Sequence, residues 1–381
     1  MKNSLHFETG LVLQGGGARG AYQVGALRAI SDILDSRQNP FPYISGLSVG
    51  AINAASLAAT ANDFKRSTRK LEALWRSLNT EMIFDTSARA VLATSMSILT
   101  ALLTGRGGRS SPAALLDNDP LRKLLETEFK RAGVLRSIGK GALKGFSITA
   151  SSYCGGYAMS FLEGQGEVAG WERARRFGGR AEIDVDHLLA SSSLPFIFPA
   201  VRIGNEFYGD GALRLLAPLA PSIRMGANRL FVIGARDAHI DKTPEGQEPV
   251  SPSFGELGGH ALDILFNDNL DADIERLERI NRTLSLMPPK LAAASGLKHV
   301  EFCILQPSSD LREVAKEFER EMPRSVRLLL RSIGAWRADG RVPSYLLFEP
   351  GYIDALITLG YRDAMARAGE LRAFLTPPDA R

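Results

Sequence analysis

The sequence predicts an α/β protein built on a parallel sheet with covering helices. Two observations carry this. The unit strand, glycine-rich turn, helix occurs twice before residue 62, and further apolar strand-like runs recur as far as Val300–Leu305 between segments with helical periodicity.

Leu11-Val12-Leu13 reads as a short buried strand broken by Gly15-Gly16-Gly17. Ala18 to Leu34 then places Tyr22, Val24, Leu27, Ile30 and Leu34 at helical spacing. The chain turns at Asn39-Pro40-Phe41-Pro42, and Tyr43 to Leu47 forms a second strand that runs into an Ala-rich helix, Ala51 to Ala61. Phe64 to about Phe129 is mostly helical, interrupted by the loop Gly105 to Pro112. Sheet resumes with Phe146–Tyr153 and Tyr157–Leu162, paired through Gly155-Gly156. Asp186–Ser191 is a short helix, Glu206–Tyr208 is strand-like, and Leu230–Gly234 and Val300–Leu305 are the remaining core strands. Phe254–Leu286 and Leu311–Leu375 are helical, the former with a charged face (Asp271, Asp273, Glu275, Arg276, Glu278, Arg279) expected to be solvated.

Composition narrows the class. The chain has 381 residues, 45% hydrophobic and 23% charged, enough apolar content for a large core. A net charge of +4 is a mild basic bias, short of a nucleic-acid-binding footprint. The two cysteines, Cys154 and Cys303, lie in apolar strand-like segments and are expected to be buried free thiols. Met1 to Phe7 is polar and shows no cleavable signal, and the longest apolar stretch, Val91 to Leu103, is short of the roughly 20 residues a membrane-spanning helix needs. The expectation is a cytoplasmic protein with peripheral membrane contact as a further option. No repeat or low-complexity linker divides the chain. Residues 8–220 are read as a catalytic core with a helical cap over about 64–131, and residues 221–381 as the remainder of the same domain.

Three motifs carry chemistry. Gly46-Leu47-Ser48-Val49-Gly50 is a GxSxG between a strand and a helix, as a nucleophile elbow requires: Gly46 and Gly50 let the two elements approach, and Ser48 projects at a helix N-terminus. Gly15-Gly16-Gly17-Ala18-Arg19-Gly20 fits a dinucleotide-binding GxGxxG, but the following strand ends in the GxSxG rather than in an acidic residue. Its other reading is an oxyanion hole, with Arg19 adding charge nearby or anchoring the loop. Tyr208-Gly209-Asp210-Gly211-Ala212 offers either a turn residue or a carboxylate base for Ser48. The five histidines leave a second base open: Asp210 followed by His239, His260 or His299 would satisfy a Ser–Asp–His chain order.

In this order and spacing the three motifs resemble those of the patatin-like phospholipases. Ala190-Ser191-Ser192-Ser193-Leu194-Pro195-Phe196-Ile197-Phe198-Pro199 looks like the family's block upstream of its aspartate, and Asp117-Asn118-Asp119-Pro120-Leu121 resembles a segment of bacterial members. The likeness covers roughly Leu11 to Pro218. It implies a three-layer α/β/α sandwich with a mostly helical insertion and a helical C-terminal region. It also implies a Ser48–Asp210 dyad without histidine, metal or cofactor. Ser48 would form an acyl-enzyme and Asp210 would move the protons. Amides of Gly15, Gly16, Gly17 and Val49 would form the oxyanion hole, supported by Ala18, Arg19, Gly20, Gly46, Gly50, Gly211 and Ala212. The implied substrate is a phospholipid or lysophospholipid, with no nucleic-acid partner. Leu216 stands where the family usually has asparagine, which puts local loop geometry in question, and Ala212 stands where many members have glycine.

Val91 to Leu103 could line an acyl-chain tunnel, dip into lipid or form a core helix. Arg173, Arg175, Arg176 and Arg180 beside Trp171 read as a solvated loop face that could meet phosphate headgroups. Ser151, Ser152, Ser191, Ser192 and Ser193 lack elbow context and are discounted as nucleophiles. The rival functions are a carboxylesterase with a Ser–His–Asp triad acting on small or polyester substrates, a nucleotide-binding module using the glycine-rich loop, and a catalytically silent scaffold.

Overall fold

The computed structural model describes residues 8–87, 114–236, 251–332, 334–336 and 340–376. A mixed sheet runs β10 (Glu301–Leu305), β9 (Arg229–Ile233), β1 (Thr9–Leu13), β2 (Tyr43–Leu47), β3 (Gly145–Ser152), β4 (Ala158–Gly164), β6 (Arg176–Arg180), β5 (Trp171–Arg173). Strands β10 to β3 are mutually parallel, and β4 is antiparallel to β3. The strands after residue 220, β9 and β10, extend the sheet from β1.

Strand side chains alternate between faces. Leu11, Leu13, Phe231, Ile233, Cys303 and Leu305 pack on one side, beneath the helices Gly20–Leu34, Val49–Thr60 and Pro350–Ala366. Val12, Leu230 and Val232 pack on the other, against Leu219, Met225, Leu270 and Leu277. Both faces are thus covered, the α/β/α layering that buried parallel strands require. The long helical region divides into Phe254–Asp263, a π-helical turn Ile264–Asp268, and Asn269–Leu286. The C-terminal region is helical from Leu311–Phe318 to Ala368–Leu375.

One feature of register positions the site. Along the same edge of β3, Leu47 of β2 pairs with Thr149, and Asp210 of β8 (Glu206–Asp210) pairs with Ala150. Strand β2 runs parallel to β3 and β8 antiparallel, so the two meet end to end. A residue just after Leu47 and one at the end of β8 must then face each other.

Several expectations need correction. Cys303 is buried, but Cys154 is exposed, because it falls in the turn after β3 rather than in the strand. Asp273 is buried rather than solvated: it accepts the Leu219 N–H at 3.0 Å and pairs with Arg276 at 2.9 Å. The Arg173–Arg180 segment is the antiparallel β5–β6 hairpin, not a loop, because β4 offers its outer edge to β6. The first helix begins at Gly20 after a 3-10 turn at Gly17–Arg19, and the second begins at Val49, directly behind Ser48. Val91–Leu103, Gly105–Pro112 and His239 lie outside the described residues.

Candidate active site

Ser48 occupies the junction of β2 and the helix Val49–Thr60, with φ 54° and ψ −129°. A positive φ on a non-glycine residue is strained and persists only where the surroundings enforce it. They do so here through close backbone approach: a Cβ on Gly46 would lie 2.3 Å from Gly50 O, and one on Gly50 would lie 2.3 Å from Leu13 O. The GxSxG spacing is therefore a steric requirement of the turn. Ser48 caps a helix of 12 residues, so its hydroxyl sits at the positive end of the helix dipole.

The elbow is also held from the side. Ser191 Oγ accepts the Ser48 N–H at 3.1 Å and donates to Thr149 O at 2.7 Å. Ser193 O accepts the Asp210 N–H at 2.8 Å. The serine block discounted as a source of nucleophiles thus anchors the backbones of Ser48 and Asp210 together. Its position just upstream of Asp210 was the sequence signal, but the role of each hydroxyl was not legible.

Asp210 is fully buried, with Oδ1 accepting the Ala212 N–H at 2.9 Å. Oδ2 forms no hydrogen bond of ordinary geometry, although the Ser48 hydroxyl is near enough to act on the carboxylate. Burial pushes the Asp210 pKa up to about 7, against the opposing pull of Ser48 and the Ala212 amide. Gly211 fits because a Cβ there would meet Thr149 O at 2.2 Å. Tyr153, which the sequence reading did not single out, lays its ring on Gly209, and Asp210 helps to raise its phenol pKa after burial does.

The glycine-rich loop lies against the same point. A Cβ on Gly15 would come within 2.9 Å of Ser48 Cβ and 2.4 Å of the Phe266 ring. Gly16 and Gly17 take φ values of 150° and 54°. Phe266 and the Tyr345 carbonyl lie against Gly15 and Gly17 on the side that a Cβ would take. Of the two roles considered for Arg19, the geometry supports the anchor. It is 2% exposed, donates to Ser344 Oγ (2.7 and 3.0 Å) and Tyr345 Oη (3.0 Å), and faces Asp263 at 3.6 Å. Asp263 is shared with Arg341 at 2.8 Å. A second buried chain fixes the loop's start: Trp75 donates to Asn53, Asn53 to Gln23, and Gln23 to Gln14 O. Neither network was legible in the sequence.

Ser48, Val49 and Gly17 open onto an apolar cavity walled by Ile52, Leu74, Trp75, Leu78, Leu121, Leu125, Leu194, Phe198 and Phe348. This brings the expected cap residues to the serine. No histidine among the described residues lines it or acts on Asp210. His299 precedes β10 at the N-terminal end of the parallel strands, opposite the end that carries Ser48. His187 is engaged in the capping box of Val185–Ser192, and His260 is exposed on Phe254–Asp263. Leu216 is 58% exposed beyond the Asp210 turn.

A family model described as patatin-like phospholipase matches residues 11–221. No curated protein matches the chain. Among solved structures, human GIVD cytosolic phospholipase A2 in complex with methyl gamma-linolenyl fluorophosphonate is similar at 12% identity and a TM-score of 0.43, over 97% of this chain and 58% of that one. VipD from Legionella pneumophila is similar at 13% identity and a TM-score of 0.31, over 98% and 89%. ExoU–SpcU from the type III secretion system of Pseudomonas aeruginosa is similar at 16% identity and a TM-score of 0.29, over 89% and 68%. The chain therefore spans less than two thirds of the first of these.

Proposed function

This chain belongs to the patatin-like phospholipase family, and on that premise we propose that it is a serine lipid acyl hydrolase in which Ser48 and Asp210 are the reacting pair. The observation that carries the reading is the end-to-end meeting of β2 and β8 on β3, which sets a strained serine against a buried carboxylate with one open oxygen.

Asp210 Oδ2 takes the Ser48 proton as Oγ attacks the ester carbonyl, and the tetrahedral oxyanion is held by the amides of Gly15, Gly16, Gly17 and Val49. Collapse expels the alcohol, which leaves with the proton from Asp210, and an acyl-enzyme remains. Asp210 then deprotonates water, the water attacks the acyl carbonyl, and the fatty acid leaves as Ser48 regains its proton. The near-neutral pKa of Asp210 suits a group that must both accept and return a proton near pH 7. The apolar cavity beside Ser48 would hold the acyl chain, which favours fatty acyl esters of phospholipids or lysophospholipids over small polar esters. No helix among the described residues is long and apolar enough to cross a membrane.

The test is release of fatty acid from phospholipid and lysophospholipid by the protein and by Ser48→Ala, Asp210→Asn, His239→Ala, His260→Ala and His299→Ala. The first two substitutions are expected to lower the rate by a factor on the order of 10³ or more, and the histidine substitutions to leave it within about twofold. A loss in any histidine variant comparable to that of Asp210→Asn would favour the triad.

A further inference from the structure

A second large concavity lies on the other face of the sheet, away from the cavity at Ser48. It is a groove of about 770 Å³ between the β5–β6 hairpin and the helix Asn269–Leu286, with the helix Ala220–Met225 along it. Six cationic side chains and a single carboxylate, Asp273, line it. Asp273 is committed to Arg276 and to the Leu219 amide. The other five cations, Arg175, Arg176, Arg214, Arg224 and Lys298, come from four separate stretches of chain, and Asp273, the carboxylate that lines the groove among the described residues, acts on Arg176 as well as Arg276. Convergence of six cations on one carboxylate is unfavourable in the free protein and is relieved by a bound anion. Arg224 registers that crowding: burial first, and then Arg173 and Arg176, hold its pKa below the ordinary arginine value. Arg175 adds a backbone cost, since it takes a φ of 55° at the hairpin tip where glycine would be unstrained.

The apolar content of the groove identifies the kind of anion. Leu216 on its wall is 58% exposed, and Leu297, next to Lys298, is 47% exposed. The chain leading to Leu297 also leaves Leu286 and Leu291 at 80% and 57%. Exposed leucines interleaved with these cations suit the interface of an anionic bilayer, where headgroup phosphates meet acyl chains; a nucleic acid or a free anion would use the cations alone. The wall residues Leu213, Arg214 and Leu216 directly follow the Asp210 turn. A surface docked at the groove is thereby tied to the loop that carries the candidate base.

We propose that this groove is a docking surface for anionic phospholipid headgroups and seats the protein on negatively charged membranes. It deepens the acyl-hydrolase reading by giving that reaction a lipid surface, but binding can be measured without turnover. The experiment is cosedimentation of the full chain, in a Ser48→Ala background, with vesicles of phosphatidylcholine alone or doped with phosphatidylglycerol, at low and moderate salt. Binding to the doped vesicles should exceed binding to the neutral ones by tenfold or more and weaken with salt. Arg176→Glu combined with Arg224→Glu should lower binding to doped vesicles by about tenfold or more, and Leu297→Asp should also weaken it. Equal binding to both vesicle types overturns the proposal without any groove variant, so a misfolded double variant does not shelter it. Unchanged binding by the folded double variant overturns the groove's role, and unchanged binding by Leu297→Asp overturns the assignment to a lipid surface. Failure of hydrolysis in the unsubstituted protein would leave these outcomes as readable as before.

Discussion

At the scale of single residues, Asp210 has two linked consequences. Among the described residues no cation offsets its burial, so ionising it costs free energy in the fold. Its folded pKa lies above the value of the unfolded chain, so its contribution to stability is fully present below about pH 4 and is lost as pH rises through about 7. Asp210→Asn is therefore expected to be more stable than the unsubstituted protein at pH 8, with the difference shrinking toward pH 4, as urea melts at several pH values would show. With Asp210 in the proposed role of base, which requires its ionised form, activity is expected to have the opposite dependence: kcat/KM on a soluble ester should rise about tenfold per pH unit below pH 7 and then level off. A profile flat from pH 5 to pH 8 would remove Asp210 from that role. That Ser48 and Asp210 belong to one site was legible as an expectation, because Ser48 is the centre of a GxSxG and Asp210 stands between two glycines at a strand end. The holding contacts of Ser191, Arg19 and Asn53 were not, because each joins residues far apart in sequence that no local pattern pairs.

Among the elements, strand–turn–helix units announced themselves and short edge strands did not. Strands β1 and β2 are largely apolar and run into turns that hold Gly15-Gly16-Gly17 and the Gly46–Gly50 elbow, so the sequence marks their existence and where they stop. Strands β5 and β6 read Trp-Glu-Arg and Arg-Phe-Gly-Gly-Arg, and only pairing along β4 makes them sheet. Asp273 misled for the same reason: its helix has a charged face, and burial comes from the loop that donates the Leu219 amide. Two glycine substitutions separate steric demand from helix propensity. Gly50→Ala forces a Cβ against backbone oxygens of Leu13 and Gln14, and should cost about 2 kcal/mol or more together with most of the activity. Gly258→Ala meets nothing within 4 Å inside Phe254–Asp263 and should instead stabilise by about 0.5–1 kcal/mol. Denaturant melts of the two variants check both signs, and a harmless Gly50→Ala would contradict the close approach at the elbow.

Across the whole molecule, the sheet divides the chemistry between its faces. One face carries Ser48, its apolar cavity and the helices that wall it; the other carries the basic groove, reached through the turn after Asp210. A parallel sheet with covering helices followed from the sequence pattern, and the three layers from the family resemblance. The meeting of β2 and β8 depends on the register of β3 with two partners, which no strand announces alone. In the proposed reading this register builds a serine nucleophile with a carboxylate base. Intact-mass spectrometry after exposure to an active-site phosphonate tests it most directly. One adduct mapping to Ser48 is expected, with none in Ser48→Ala and labelling slowed by at least about tenfold in Asp210→Asn. An unlabelled protein, or an adduct on any other residue, would contradict it.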